Sequence, residues 1–556
     1  MAREHHLLAV TVTKAANRIA SARLAYVDGA AASGAFPLSN GQLFVPGNAV
    51  EILAGTTDDA VSLFQGIVVR QSLKIRDHVA SQLVVECRHR AVKLTVGMKN
   101  GYFYDQKDSD IITTLVTGAA LRVEVDATPV THKQQVQFGC TDWDFLLMRA
   151  EASGLLVFTN DERVVVKKPV TGGAAVCTLM FGATILEMDV QMDARGQYSA
   201  VKSVSWDAAE QQVLEKEAND PGIVGPGNLD SNALAAVAGL DNFRLQHAAV
   251  PGEEAQAWAD AQWLKSRLSR INGRIKCEGI GTVNPGDTVT LSGVGERYNG
   301  DALVSGVRHD FDLVQGWKTH LQFGGLDSWL GREQQVAAPK AAALVPGING
   351  LQIGVVTSNE DPDGEHRVQV RMPLVDGQGD GTWCRVAALD AGEERGFFFR
   401  PEIGDEVVLG FVNDDPRQAV ILGMLHSSAK PAPLAGSDDN HEKVYQSRSG
   451  MKLSFNDETK ILRLETPAGN AITLSEDETS ITIQDQNNNK LAMTADGITL
   501  ESSKAIILKA ATDLTFESTS SFAVKSSADL KLEGSAGVEL SSSGVTKIKG
   551  SLVQIN

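Results

Sequence analysis

The sequence predicts a mainly β protein with some helix, divided into several domains, the last of them a stack of short strands. Three observations carry this. Of 556 residues 52 are Gly and only 6% are aromatic, a balance that favours turns and short strands over long helices. Between residues 348 and 428 strand-like runs alternate with polar turns. From Ile506 to Ile548 an apolar pair recurs every eight residues. A chain of this length exceeds one ordinary core, and roughly three or four domains are expected.

Residues 1–335 read as a mixed head with more strand than helix. "SQLVVECRHR" and "RVVVKKPV" are strand-like. "SDIITTLVTG" opens on a polar cap and closes at Gly118. "TDWDFLLMRAEASG" sets Asp144 three residues after Thr141, a capping-box spacing, and ends at Gly154. "EEAQAWADAQWLKSRLSRING" starts acidic and ends basic, with Trp258, Ala261, Leu264, Leu268 and Ile271 as its apolar stripe and Asn272-Gly273 as its stop. The head also echoes itself. "PGNAVEI" at 46–52 precedes "FQGIVV", and "PGDTVTL" at 285–291 precedes "YNGDALV", which predicts two related β domains.

"AAPKAAALVPG" breaks the composition and sets a linker at 336–347. The five strands of 348–428 suit a small Greek-key barrel of the OB type. A second linker, "KPAPLAGSDDN", falls in 429–445. From 446 onward alternating pairs begin, Leu453/Phe455 through Ile498/Leu500, with spacings that drift between seven and ten residues before locking to eight.

The locked pairs are Ile506 and Leu508, Leu514 and Phe516, Phe522 and Val524, Leu530 and Leu532, Val538 and Leu540, then Thr546 and Ile548. Residues i and i+2 share one face of a strand, so each pair points inward. A small residue follows each, from Ser502 to Gly550, where the chain must turn a corner. The residue before it alternates in sign, as Glu501, Lys509, Glu517, Lys525 and Glu533, until Ser541. One such strand buries almost nothing, so the strands must stack. The charge alternation fits one chain coiling alone or several intertwining. The strict period and the two apolar residues per step favour intertwining.

The chain's formal charge of −18 argues against nucleic acid as a partner. Five cysteines without a CxxC read as reduced thiols, and the N-terminus has no signal-peptide core. The sequence therefore predicts a protein made in the cytoplasm. His5 and His6 read as an exposed start. No GxSxG, HExxH or P-loop occurs, and "HEKVYQ" at His441 lacks a second His. No catalytic residue, metal site or cofactor is expected.

The segment "GTWCRVAALDAGEERGFFFRPEIGDEVVLGFVNDDPRQAVILGMLHS", with "DWDFLLMRAEASGL" in the head, resembles the VgrG spike family, which is similar to hub-and-needle proteins of contractile phage tails. The resemblance spans essentially the whole chain. It implies a homotrimer with a two-barrel tail-hub head at 1–335, an OB-fold barrel at 348–428 and an intertwined three-chain β-helix spike at 446–556. It implies a structural, non-enzymatic role in puncturing a target envelope. Tail tube and baseplate proteins are the implied partners, with the target membrane met only transiently. The compact form is similar to spikes of extracellular injection particles, outside the cell after release; a type VI secretion spike is the alternative. An enzyme or effector carried on a spike scaffold is the alternative function. Leu552, Val553 and Ile555 fall out of phase with the repeat and predict an apolar tip, on which the resemblance implies a PAAR-type cone protein.

Overall fold

A computed structural model describes residues 6–55, 59–207, 210–247, 250–326, 329–330 and 347–555. The linker expected at 336–347 lies outside these but for Gly347, as does His5. The chain forms two compact units: residues up to Leu351 with the short segments Thr382–Arg385 and Gly410–Val420, and the remainder.

Ten strands frame the first unit. They are β1 (Leu7–Ala15), β2 (Ser21–Val27), β3 (Ala49–Ala54), β4 (Val61–Arg76) and β5 (Val79–Arg88), then β6 (Ile185–Met192), β7 (Ile271–Glu278), β8 (Thr288–Ser292), β9 (Gly300–Asp312) and β10 (Gly316–Phe323). The first five pair in the order β1-β2-β5-β4-β3 and the second five in the order β6-β7-β10-β9-β8. These are one topology used twice. Each half has its own core, around Tyr26, Phe64 and Leu83 in one and Ile275, Val304 and Phe323 in the other. Pairing of β1 with β9 fuses the halves, so the two expected β domains share one sheet.

The echoed Pro-Gly turns occupy equivalent corners. Gly47 and Gly286 sit at φ +102° and +96°, where a side chain would be strained. The Gly47 amide donates to the Val68 carbonyl at 2.8 Å, and the Val68 amide donates back to Asn48 at 2.9 Å. Gly286 donates to Val304 at 2.7 Å, and Val304 back to Asp287 at 2.8 Å.

Helices sit in the two insertions. Between β5 and β6 lie α1 (Asp108–Gly118) and α2 (Asp142–Ala152). The α2 cap forms as expected: Thr141 Oγ1 accepts from the Asp144 amide at 3.1 Å. Between β6 and β7 lie α3 (Ser231–Ala238) and α4 (Gly252–Leu268). Helix α4 stops at Leu268, short of the expected Asn272-Gly273, and Ile271 already belongs to β7. Gly273 is a strand glycine: a Cβ there would lie 2.4 Å from the Phe323 ring and 2.8 Å from the Asp189 carbonyl. No described helix is long and apolar enough to cross a membrane.

The expected small barrel is present and closed. Its strands β11 (Gln352–Ser358), β12 (Val368–Arg371), β13 (Thr382–Val386), β14 (Glu406–Phe411) and β15 (Ala419–Met424) run in the order β11-β12-β13-β15-β14, with β14 returning to β11. Val356, Val370, Cys384, Leu409 and Ile421 fill it. The corner of the head recurs here: the Gly404 amide donates to Val356 at 2.8 Å, and Val356 back to Asp405 at 3.0 Å.

The next segment departs from expectation. Residues 442–501 form a seven-stranded antiparallel meander within one chain, β16 (Glu442–Gln446), β17 (Lys452–Asn456), β18 (Ile461–Glu465), β19 (Ala471–Ser475), β20 (Ser480–Gln484), β21 (Lys490–Thr494) and β22 (Gly497–Glu501). The first strand begins inside the stretch expected as linker, 429–445, and ends one residue past it. The apparent drift in spacing is a regular alternation: β17, β19 and β21 start 19 residues apart, at Lys452, Ala471 and Lys490. Loops on one edge reverse at Gly450, Gly469 and Asn488, and on the other at Lys460 and Thr479, all at positive φ. The in-chain ladder therefore runs to Glu501, and among the described residues none continues it beyond.

Candidate functional site

The residues expected to form the needle lie beyond β22. There the chain runs extended, with paired bends at 503–504, 511–512, 519–520, 527–528, 535–536, 543–544 and 551–552, one bend per eight residues. Each bend directly follows the small residue of the repeat. Ser518 Oγ donates to the Ser521 carbonyl at 2.9 Å, and Ser526 Oγ to the Asp529 carbonyl at 3.0 Å. At Gly534 the backbone closes further, and a Cβ would stand 2.3 Å from the Gly537 carbonyl oxygen. Small residues recur here because the corner leaves room for a hydroxyl or nothing.

Between these corners no described residue from 505 to 555 takes part in a strand ladder. Every apolar residue of the expected core is exposed, from 50% at Ile506 to 70% at Leu540, and Ile548 likewise. The rings of Phe516 and Phe522 lie 6.0 Å apart across a bend. A backbone without ladder partners and a row of exposed apolar side chains are what buried secondary structure ordinarily avoids. The tip residues Leu552, Val553 and Ile555 are exposed too, but the last bend at 551–552 keeps the eight-residue step. Of the alternating charges, Glu533 pairs with Lys531 two residues before it.

The loop between β13 and β14 meets the start of the meander. Phe397 and Phe399 stack at 5.9 Å, and Tyr445 of β16 meets Phe399 edge-on at 4.9 Å. Arg448 reaches Glu402 at 2.8 Å. The "FFF" run within the resemblance segment is thus an aromatic seat for the meander. Sequence reading missed this because the seat joins residues far apart in the chain.

The head contains a buried ionic network that the sequence did not show. The Asp108 carboxylate accepts from His132 Nε2 at 3.1 Å, Arg149 Nε at 2.8 Å and Ser153 Oγ at 2.7 Å. His132 Nδ1 lies 3.4 Å from Glu254 of α4. Burial alone would lower the His132 pKa, but the hydrogen bonds it donates to the Asp108 and Glu254 carboxylates outweigh it and raise it to about 9. Burial likewise pushes against the Asp108 carboxylate, yet its bond to His132 and the Arg149 charge hold it below the usual range. A proton-locked pair of this kind staples α1, α2 and α4 together. Elsewhere Ser203 Oγ lies 2.5 Å from His247 Nε2, but Ser203 is 1% exposed on a strand face packed under α4. Among the described residues no group of His, Cys, Asp or Glu converges to hold a metal ion, and the cysteines are free thiols.

Comparison with known proteins follows this architecture. Residues 1–312, more than half of the chain, match the model of the Alg8 N-terminal domain. The chain belongs to the Alg8 N-terminal domain family. Within this family member, residues 352–426 match the type VI secretion system/phage-baseplate injector OB domain, which covers the closed barrel. Curated relatives of the Alg8-family chain include the spike proteins VgrG1a and VgrG1b of Pseudomonas aeruginosa. They are 24% and 26% identical, over 44% and 41% of this chain and 43% and 34% of their own lengths. VgrG3 of Vibrio cholerae is 30% identical over 20% of this chain and 12% of its own length. The chain thus spans under half the length of these relatives. Among solved structures, a tail protein from Neisseria meningitidis aligns with 59% of this chain and 94% of its own at a TM-score of 0.42 and 16% identity. The E. coli c3393 protein, a type VI secretion component, aligns with 76% and 98% at 0.39 and 12%. The resemblance to VgrG spike proteins read from the sequence is borne out by these relatives.

Proposed function

We propose that this chain is the structural central spike of a contractile injection machine, acting as a homotrimer and without catalysis. The observation that carries the reading is the unpaired repeat of 505–555. In a three-chain needle, step n of one chain stacks on step n+1 of the next, about 4.8 Å away, and every backbone group finds its partner in another copy. Inward pairs from three chains then fill an axis that one chain leaves empty. Bending such a needle must break many ladders at once, and stiffness is what a part driven through an envelope requires. A contracting sheath supplies the work.

In this reading the doubled topology of the head gives three chains six similar units. That number matches a hexameric tail tube, with baseplate proteins around it. The exposed tip residues Leu552, Val553 and Ile555 take a PAAR-type cone. The protein is made in the cytoplasm, joins the particle's baseplate, and leaves the cell with it, meeting the target membrane only on firing. Electron microscopy of the purified chain tests this: a threefold particle with a thin needle is expected, and single globular chains would overturn it. For the tip, deleting 551–556 is expected to abolish cone binding while the trimer persists.

A further inference from the structure

The end of α4 buries two cations side by side. Arg267 lies in the last turn of α4 with 5% of its surface exposed, and Arg270 precedes β7 with 9%. Both hold residues 219–232, a strap that leads into α3 and rests with Pro226 against Gly300 at the start of β9. Arg270 Nη2 donates to the Pro226 carbonyl at 2.9 Å, and its Nη1 donates to the Leu229 carbonyl. Arg267 Nη2 donates to Asn232 Oδ1 at 2.7 Å, and its guanidinium lies 5.0 Å from the centre of the Trp263 ring. The strap is tied further at Asn219, whose amide donates to Asp260 at 2.7 Å, and at Gly227, whose amide donates to the Asn299 carbonyl at 2.8 Å.

Beneath the strap the two guanidiniums line one small cavity of about 30 Å³, walled also by Thr171, Val224, Gly225 and Leu303. Such a volume holds one water or one monatomic ion. No carboxylate is among the described residues that line it. Arg267 Nη1 is buried and has no hydrogen-bond partner among the described residues. Gly225 comes so close to Arg270 that a Cβ there would stand 3.0 Å from Nη2.

The charges around the cavity do not balance. Asp220 lies 3.7 Å from Arg267, but its side chain is 53% exposed. Asp230 is spent at the surface, accepting from the Ala233 amide as the cap of α3. The C-terminus of α4 adds only roughly half a negative charge. Burial lowers the pKa of both guanidiniums despite the two aspartates, and the Arg267 charge adds its repulsion to Arg270. Two buried like charges, a spare donor and a cavity beside them call for one negative charge. We propose that this cavity is a halide site, in which one chloride held by Arg267 and Arg270 locks the strap of 219–232 to the head. Its size selects a monatomic anion over an oxyanion such as sulfate.

The test is thermal unfolding of the full chain, followed by tryptophan fluorescence, with sodium chloride exchanged for sodium gluconate at constant ionic strength. Raising chloride from zero to ~0.3 M is expected to raise Tm by about 2–4 °C and to slow proteolysis within 219–232, with bromide acting alike. Gly225→Ala keeps both charges and crowds the cavity; it is expected to fold and to lose most of that rise. Arg267→Met is expected to lose all of it. Crystals grown in bromide are expected to show an anomalous peak at the two guanidiniums. An ordered water only at that place overturns the proposal, as does a Tm equal in chloride and gluconate. A chloride effect undiminished in both variants, or one that sulfate reproduces at the same ionic strength, overturns it as well, because screening alone would then explain the rise.

Discussion

Residues 442–501 and 505–555 are written in the same alphabet, short strands with apolar residues at i and i+2, and they fold in opposite ways. In the first the chain doubles back on itself six times; in the second it never pairs with itself. The difference lies in the connections. The meander's loops contain Gly450, Lys460, Gly469, Thr479 and Asn488 at positive φ, which lets the chain reverse. After Gly497 no described residue takes positive φ, and the repeat's paired bends, such as 535–536 and 543–544, turn the chain without reversing it. A strand that cannot fold back must find its partner elsewhere. Turn chemistry, not strand composition, separates the part that closes on itself from the part that needs company.

The sharpest way to break the comparison is to load each region with charge. Replacing Phe516 and Leu532 by Asp is expected to bury unpaired charge on the needle axis and open the repeat to protease, while residues 442–501 stay resistant. Mass spectrometry of the digest checks this, and cleavage within the meander would contradict it.

Next in size is the staple in the head, which should respond to pH independently of both regions. His132 has its pKa raised to about 9, against 6.5 for an ordinary histidine. A group raised in the folded state contributes stability that is whole below about pH 6.5 and is lost as pH rises through about 9. Thermal unfolding from pH 6 to 10 is expected to show a falling Tm that His132→Ala abolishes. That variant is expected to cost roughly 3 kcal/mol, because Asp108 and Glu254 both lose the buried imidazolium between them, and Asp108 keeps only Arg149 and Ser153.

A smaller effect tests the turns. Gly469 sits at φ +95°, and Gly469→Val is expected to destabilise the meander by about 1–2 kcal/mol. Chemical denaturation followed by strand circular dichroism measures it. The smallest effect belongs to the charge ladder: Lys525→Glu is expected to change stability by less than about 1 kcal/mol, with the difference vanishing at high salt.

Much of this fold was legible in the sequence, and the reason is periodicity. The closed barrel announced itself through five alternating runs, the evenly spaced bends of 503–552 through the eight-residue step, and the doubled head through two Pro-Gly corners. What sequence could not supply was pairing over distance. That Tyr445 seats on Phe399, or that His132 bridges Asp108 and Glu254, depends on where three helices and a loop come to rest. The meander was misread as an early needle because strands of both kinds share one alternation. Its 19-residue period, visible in Gly450, Gly469 and Asn488, was the signal available. The α4 end was misplaced for a related reason: Asn272-Gly273 is a stop signal in a helix, but here the glycine is demanded by the Phe323 ring beside it.

The central claim is that residues 505–555 are one third of a structure. The mass of the purified chain in solution tests it most directly. Light scattering at micromolar concentration is expected to give three times 59.3 kDa. A folded particle of 59.3 kDa, stable at that concentration, would contradict it.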